Sequence, residues 1–319
     1  MEFAAAAVVS LAGSAVLVTR LERLAERLHL TEALLGLVAA LAADAPEITT
    51  AVAALAHGQR DVGVGVTLGS NAFNLAALLG LAALVAGRFS VHRRVVLLGG
   101  TVGVAVAGVS VLAVVGVLGP GPALACVLAV LLPYLALAGH WLPAPAMARA
   151  RAWLAHAVSD EEEELSEALH ALPGRPRDAV EALAAVVVVV LASLLMESTA
   201  TSLGSRIGLS QIVVGGLILA AVTSIPNVVA AVYLAARGRG AATLSTAMNS
   251  NTLNVAFGLL LPATVTGLGR SGSGTLVAAG YAGLTVVALG LAYLGRGLDR
   301  RAGAIIVVGY LALCVALAT

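Results

Sequence analysis

The sequence predicts an all-α polytopic membrane protein of ten transmembrane helices, arranged as two inverted repeats of five. Three observations predict it: a composition too apolar for a water-exposed surface, ten apolar stretches whose connecting loops alternate in arginine content, and an internal repeat at an offset of 180 residues.

Of the 319 residues, 60% are hydrophobic and 11% charged, and the mean hydropathy is +1.01. These values lie outside the range of soluble domains. The net charge of +1 says little, but all 18 basic residues are Arg and none is Lys, which with the abundance of Ala and Gly points to a GC-rich, prokaryotic source. Cys126 and Cys314 lie in apolar segments without a disulfide or CxxC pattern and read as packing residues. The N-terminus lacks a basic region ahead of its apolar run, so it reads as a first transmembrane helix and not a cleaved signal.

Crossing the hydrocarbon core takes about 20 apolar residues. On that criterion the spans are 3–19, 30–56, 62–87, 95–118, 121–142, 179–204, 210–236, 241–267, 274–295 and 302–318. The loops are short except for 143–178, which carries SDEEEELSEALHALPGRPRD. The expected organisation is therefore a first five-helix repeat over 1–142, a loop over 143–178 and a second five-helix repeat over 179–319.

Arginines set the orientation. The loops after helices 1, 3, 5, 7 and 9 hold Arg20, Arg23, Arg27, Arg88, Arg93, Arg94, Arg149, Arg151, Arg175, Arg177, Arg237, Arg239, Arg296, Arg300 and Arg301; the opposite side holds only Arg60, Arg206 and Arg270. The positive-inside rule then makes the first side cytoplasmic and leaves both termini external. A missed span would invert every later loop and destroy this split, so the arginines support ten spans independently of hydropathy.

The repeat aligns GLVAALAADAPEITTAVAALAHG, starting at Gly36, with GLILAAVTSIPNVVAAVYLAARG, starting at Gly216. It also aligns SNAFN from Ser70 with SNTLN from Ser250. The repeated cores are about 36–80 and 216–260; EFAAAAVV from Glu2 and EALAAVVV from Glu181 match more weakly, at an offset of 179. Five helices per copy is an odd number, so the copies enter the membrane from opposite sides. Secondary transporters with this architecture bind substrate at the midplane, between interrupted helices.

Asp44 and Glu47 lie about 20–25 Å along helix 2, inside the bilayer, and their spacing of three puts them on one face. Each costs about 2.5–3.5 kcal/mol at that depth, and such residues face cavities or ion paths. Pro46 removes the hydrogen bond to the Ala42 carbonyl and kinks the helix, which can free carbonyl oxygens for a cation; Pro226 does the same in helix 7. Helices 3 and 8 add Ser70 and Asn74, and Ser250 and Asn254, each pair four apart. The candidate ligands are then the carboxylates of Asp44 and Glu47, the amides of Asn74, Asn227 and Asn254, and the hydroxyls of Ser70, Thr223, Ser224 and Ser250. All are oxygen donors, a set that suits Ca²⁺ or Na⁺ and argues against Zn²⁺ or Cu⁺. Asn71 and Asn251, flanking this face, read at least as well as packing and interhelical hydrogen-bonding residues as they do as ligands.

At these residues the chain resembles the cation/Ca²⁺ exchanger superfamily, whose sodium/calcium exchangers carry two inverted α-repeats reading roughly G-T-S-x-P-E on helices 2 and 7 and G-S-N-x-x-N/D on helices 3 and 8. The resemblance implies that Glu47 binds Ca²⁺ and Na⁺, that Asn74 is the first-repeat amide, that Ser70 and Ser250 line sodium sites, and that Thr223 and Ser224 are the second-repeat Thr-Ser pair. It also implies that helices 1 and 6 slide across a core of eight. The chain departs from the pattern at Asn227, where a glutamate is expected, at Asn254, where an acid is common, and at Ala43 and Asp44, where Thr-Ser is expected. Two carboxylates balance one Ca²⁺, two Na⁺ or two H⁺, whereas three Na⁺ would leave charge uncompensated in a low-dielectric site.

The resemblance therefore implies a secondary active antiporter, Ca²⁺ exchanged for Na⁺ by alternating access. A Ca²⁺ (or other cation)/H⁺ antiporter is the alternative, and a channel-like or non-transporting membrane protein the alternative from another class. No enzyme activity and no cofactor are expected; the transported ions are Ca²⁺ and Na⁺ (or H⁺). The expected partners are membrane lipids and inorganic cations, with no nucleic acid, and a monomer is compatible with the sequence. The expected location is a prokaryotic plasma membrane. The acidic run 160–164 lacks the spaced ligands and glycine of an EF-hand and reads as a solvated linker. Glu197, late in helix 6 near the external face, offers two readings, a carboxylate at an ion entrance and, favoured, a hydrated interfacial carboxylate, and His29, His57, His92, His140, His156 and His170 form no cluster. No Walker-type motif is present.

Overall fold

The computed structural model describes residues 1–28, 40–138, 175–270 and 272–319. The acidic run 160–164, nearly all of the loop 143–178 and the start of the second span lie outside the described residues.

Among the described residues, ten helices follow in chain order. α1 is Glu2–Arg27; α2 is Ala45–Ala56, preceded by a helical stretch at 40–43; α3 is Arg60–Ala86. Next come α4, Arg93–Val114, α5, Pro120–Ala138, and α6, Pro176–Arg206. α7 is broken into Gln211–Thr223 and Ile225–Ala236, bent by 50°. α8 runs through Gly240–Leu253, Asn254–Leu260 and Leu261–Thr266. α9 is Gly272–Gly295 and α10 is Arg300–Ala318. Within lipid the backbone must satisfy its own hydrogen bonds, which is why such apolar segments are helical throughout. Six of the helices are long and apolar enough to cross a membrane, and the broken α7 makes a seventh; α2 and α5 qualify as shorter apolar helices among the described residues.

α1 outlasts its expected span by a full two turns. The extension carries Arg20 and Arg23, which reach α6: Arg20 pairs with Glu181 at 2.7 Å and Asp178 at 3.2 Å, and Arg23 with Asp178 at 3.7 Å. These pairs hold the Arg-rich ends of α1 and α6 together. Farther along, Gly13 faces Val189 and the hydroxyls of Ser10 and Ser193 lie 3.1 Å apart. The other faces of both helices expose Val8, Val9, Val16, Val180, Leu183 and Leu191, so the pair stands at the periphery with an apolar outer surface. Cys126, expected to pack, is exposed on α5.

The buried residues at the centre come from α2, α3, α7 and α8, with α4, α9 and α10 packed against α3 and α8. Residues Val62 to Ala72 of α3 are buried, and their close approach to α7 depends on glycine: a Cβ on Gly69 would lie 2.5 Å from the Gly216 backbone. α3, α7 and α8 each contain a π-helical segment, Leu75–Leu81, Val214–Leu219 and Asn254–Leu260. A two-stranded ribbon not expected from the sequence, β1 Arg88–Ser90 against β2 Gly297–Asp299, joins the α3–α4 and α9–α10 junctions, with Phe89 opposite Leu298.

The repeat is visible in the backbone itself. Asp44, at the break of α2, has φ −80 and ψ −5; Ser224, at the break of α7, has φ −81 and ψ −3. Gly58 and Gly238 close the two helices at φ 74 and φ 76, a left-handed conformation natural only to glycine. Each pair lies 180 positions apart.

Candidate functional site

Proline determines where the site forms. Pro46 and Pro226 occupy the first turns of α2 and of the second half of α7, where a missing N–H costs nothing. The residues just before and after each proline therefore project from helix N-termini buried in the core. The positive ends of these helix dipoles stabilise negative charge there. α3 and α8 pass alongside and contribute the asparagines and serines.

All nine candidate ligands are buried: Asp44, Glu47, Ser70, Asn74, Thr223, Ser224, Asn227, Ser250 and Asn254 are each at most 2% exposed. Seven take part in two hydrogen-bonded groups that cross between repeats, one around each acid, joined to each other only through Asn71 and Asn251. Glu47 Oε1 accepts from the Ser224 hydroxyl at 2.6 Å, and Oε2 accepts from the Asn254 amide. Asp44 Oδ1 accepts from the Asn227 amide at 2.6 Å and the Ser250 hydroxyl at 2.8 Å. The Asn74 amide donates to Ser250 Oγ at 3.1 Å. Thr223 stands apart, its hydroxyl donating back to the Leu219 carbonyl at 2.9 Å, and Ser70 Oγ has no partner.

Both acids come from the first repeat and their donors from the second, with Asn74 adding a first-repeat amide through Ser250. No Arg or His forms an ion pair with either carboxylate among the described residues. Four buried oxygens in this group have no hydrogen-bond partner: Asp44 Oδ2, Ser70 Oγ, Asn74 Oδ1 and Asn254 Oδ1. Unpaired buried acceptors are costly. Oxygens of this kind beside two carboxylates are what a hard cation prefers, Ca²⁺ taking six to eight of them.

Asn71 and Asn251 resolve the two readings left by the sequence. Each donates to the other's backbone carbonyl, at 2.9 and 3.1 Å. Their side-chain carbonyls accept from Asn254 at 3.2 Å and Asn74 at 3.1 Å, respectively. They are therefore positioning residues: a reciprocal clasp about the pseudo-two-fold axis that orients the two site amides. The signal for this was the repetition of both asparagines at an offset of 180. Ser14 was missed altogether. It donates to the Ala42 carbonyl at 3.0 Å, so the oxygen freed by Pro46 and expected to face a cation is occupied by α1. Nothing in the sequence around Ser14 marks that role.

Glu197 is not the hydrated, interfacial carboxylate expected. It is fully buried on α6, with Oε2 3.2 Å from Nδ1 of His57 at the end of α2, because α6 turns this face toward α2 and not outward. No group of three or more His, Cys, Asp and Glu capable of holding a metal occurs among the described residues, so the central site rests on two acids plus neutral oxygens.

A family model described as sodium/calcium exchanger protein matches residues 2–138 and 179–319. Among curated proteins, sodium/potassium/calcium exchanger 3 of Rattus norvegicus is 40% identical over 72 residues, covering 22% of this chain and 12% of that protein. Inner membrane protein YrbG of Escherichia coli is 47% identical over 55 residues, covering 17% of each. These matches therefore span less than a fifth of either relative. Two solved structures share the fold over 99% of this chain: H⁺/Ca²⁺ exchanger CAX, at 12% identity and TM-score 0.72 over 84% of its length, and YfkE, at 17% identity and TM-score 0.68 over 91%. The sodium-calcium exchanger NCX_Mj also matches over 99% of this chain and 97% of its own, at 17% identity and TM-score 0.59. With a family model spanning both repeats and a fold common to these exchangers, the chain belongs to the sodium/calcium exchanger family.

Proposed function

We propose that the chain is a secondary active antiporter, not an enzyme, that exchanges Ca²⁺ for Na⁺ by alternating access at the site of Asp44 and Glu47. The observation that carries the reading is the network itself: two buried carboxylates held only by neutral donors, beside four unpartnered oxygens. Neutral hydrogen bonds do not cancel two charges in a low-dielectric core, so the balancing charge belongs to the cargo. One Ca²⁺ or two Na⁺ supplies it, and exchange is therefore electroneutral. The peripheral α1–α6 pair, tied by Arg20 and Arg23, moves as a unit across the core to open the site to each side.

The arginine distribution supports cytoplasmic placement of the loop 143–178 and external termini; the composition and the bacterial inner-membrane relative support a prokaryotic plasma membrane. Lipids and the transported cations suffice as partners for a monomer. One observation favours proton coupling as a second reading: Asp44 Oδ2 is a free carboxylate oxygen beside a filled one, able to take a proton in place of a metal.

Uptake of radiolabelled Ca²⁺ into proteoliposomes under imposed Na⁺, K⁺ or pH gradients, with current recorded simultaneously, tests both readings. A Na⁺ gradient is expected to drive uptake without net current. Uptake driven by pH alone selects the second reading, and a clear charge movement per Ca²⁺ overturns the electroneutral stoichiometry.

A further inference from the structure

We propose that the Arg-poor mouth of the protein carries a second, weaker cation site, built on Glu197 and separate from the central one. The inference rests on the exchange reading only in supposing that the cargo is a hard cation. Its structural basis is a cavity of about 400 Å³ where the α2–α3 and α6–α7 junctions meet, bordered by His57, Gln59, Glu197, Ser198, Thr201 and Gln211.

Glu197 is fully buried, yet its compensation is partial. Oε2 has the half-exposed His57 imidazole at 3.2 Å, while Oε1 has no partner. Gln59 Oε1, on the same cavity wall, is likewise buried and unpartnered. Two orphaned acceptor oxygens on one cavity, one of them a carboxylate, call for a cation.

The hydroxyls around them reinforce that polarity. Thr201 donates to the Glu197 carbonyl at 2.9 Å, Ser198 to the Leu195 carbonyl at 3.1 Å, and Ser205 to the Ser202 carbonyl at 2.8 Å. With their protons committed to the α6 backbone, these side chains offer the cavity lone pairs only. No arginine among the described residues lines it, and the nearby Arg60 is turned to the Thr266 carbonyl at 3.2 Å. His57 donating Nδ1–H to Oε2 leaves Oε1 to the cation.

His57 is ten residues beyond Glu47 on α2, about 15 Å along the axis. One ion cannot engage both acids, so this is a separate station on the way to the central site. A single carboxylate with neutral oxygens binds more weakly than two, as an entry station must if the ion is to move on.

The test is Ca²⁺ binding to the detergent-purified full chain by equilibrium dialysis, which reads the site whether or not transport occurs. With the central acids removed (Asp44→Asn and Glu47→Gln together), one weak Ca²⁺ equivalent per chain is expected to remain. Adding Glu197→Gln should abolish it, and adding Gln59→Leu, at the partly exposed residue between α2 and α3, should weaken it about tenfold. No residual Ca²⁺ in the central-site variant, or residual binding that neither further substitution alters, overturns the proposal. Failure of the exchange reading would appear differently, as absent uptake with this binding intact.

Discussion

At positions 180 residues apart, the breaks in α2 and α7 share a backbone and differ in chemistry. Asp44 and Ser224 have φ and ψ within two degrees of each other, a proline follows each break two residues on, and a left-handed glycine ends each helix. Yet one copy reads ADAPE and holds two carboxylates, whereas the other reads TSIPN and holds none. The shape of the site is therefore fixed by Pro, Gly and the Asn71–Asn251 clasp, all of which repeat, and its charge is fixed by residues that do not. The repeated residues set the backbone of the site; the unrepeated ones set its charge.

The largest expected effect follows from removing that charge. Glu47→Gln or Asp44→Asn keeps the side-chain shape but leaves one carboxylate against a divalent ion and converts an acceptor oxygen into a donor within the network. Ca²⁺ uptake into proteoliposomes should fall on the order of a hundredfold or more. Normal transport by both variants would mean that the charge of the first repeat is not the ion site.

The counterpart residue should matter less. Asn227 donates to Asp44 Oδ1 at 2.6 Å and to Ser250 at 3.3 Å, so Asn227→Ala removes neutral hydrogen bonds while leaving both charges. The concentration of Ca²⁺ giving half-maximal uptake should rise about tenfold with maximal rate largely kept. If Asn227→Ala matches Glu47→Gln in severity, the two copies share the work and the asymmetry is incidental.

How much of this was legible beforehand differs by level. Both breaks could be read because proline acts locally, and the inverted arrangement followed from arginine parity and the offset of 180. That Asp44 and Glu47 mark something other than packing was legible too, since they are out of place in an apolar helix, and the structure buries both. What could not be read were contacts that depend on the third dimension. Glu197 looked interfacial because it lies late in its span, and only the packing of α6 against the end of α2 buries it. The extra turns of α1 were hidden because hydropathy marks where a helix leaves lipid, not where it stops, and Arg20 and Arg23 continue it by pairing with α6. The β1–β2 ribbon involves three residues per strand, too short to leave a periodic signal.

Ser14 gives the smallest effect and the finest test of the comparison. In the first repeat Pro46 leaves the Ala42 carbonyl without its helical donor, and Ser14 of α1 supplies one at 3.0 Å. Its counterpart at the offset of 179, Ser193 of α6, turns instead to Ser10 at 3.1 Å. The peripheral helix is thus hydrogen-bonded directly to the charged break of α2 through Ser14, with no matching bond from Ser193 to the break of α7. Ser14→Ala removes a single neutral bond, about 1 kcal/mol, and should lower the melting temperature of the detergent-purified protein by a few degrees while leaving Ca²⁺ affinity unchanged, since no ligand is lost. Turnover should change severalfold, because in the proposed alternating-access motion the bond joins a moving helix to a fixed one and its strength enters the barrier between the two states. Ser193→Ala should shift the melting temperature similarly and turnover hardly at all. Equal changes in turnover from the two substitutions would show that the breaks are mechanically equivalent, and that the asymmetry of this protein lies in charge alone.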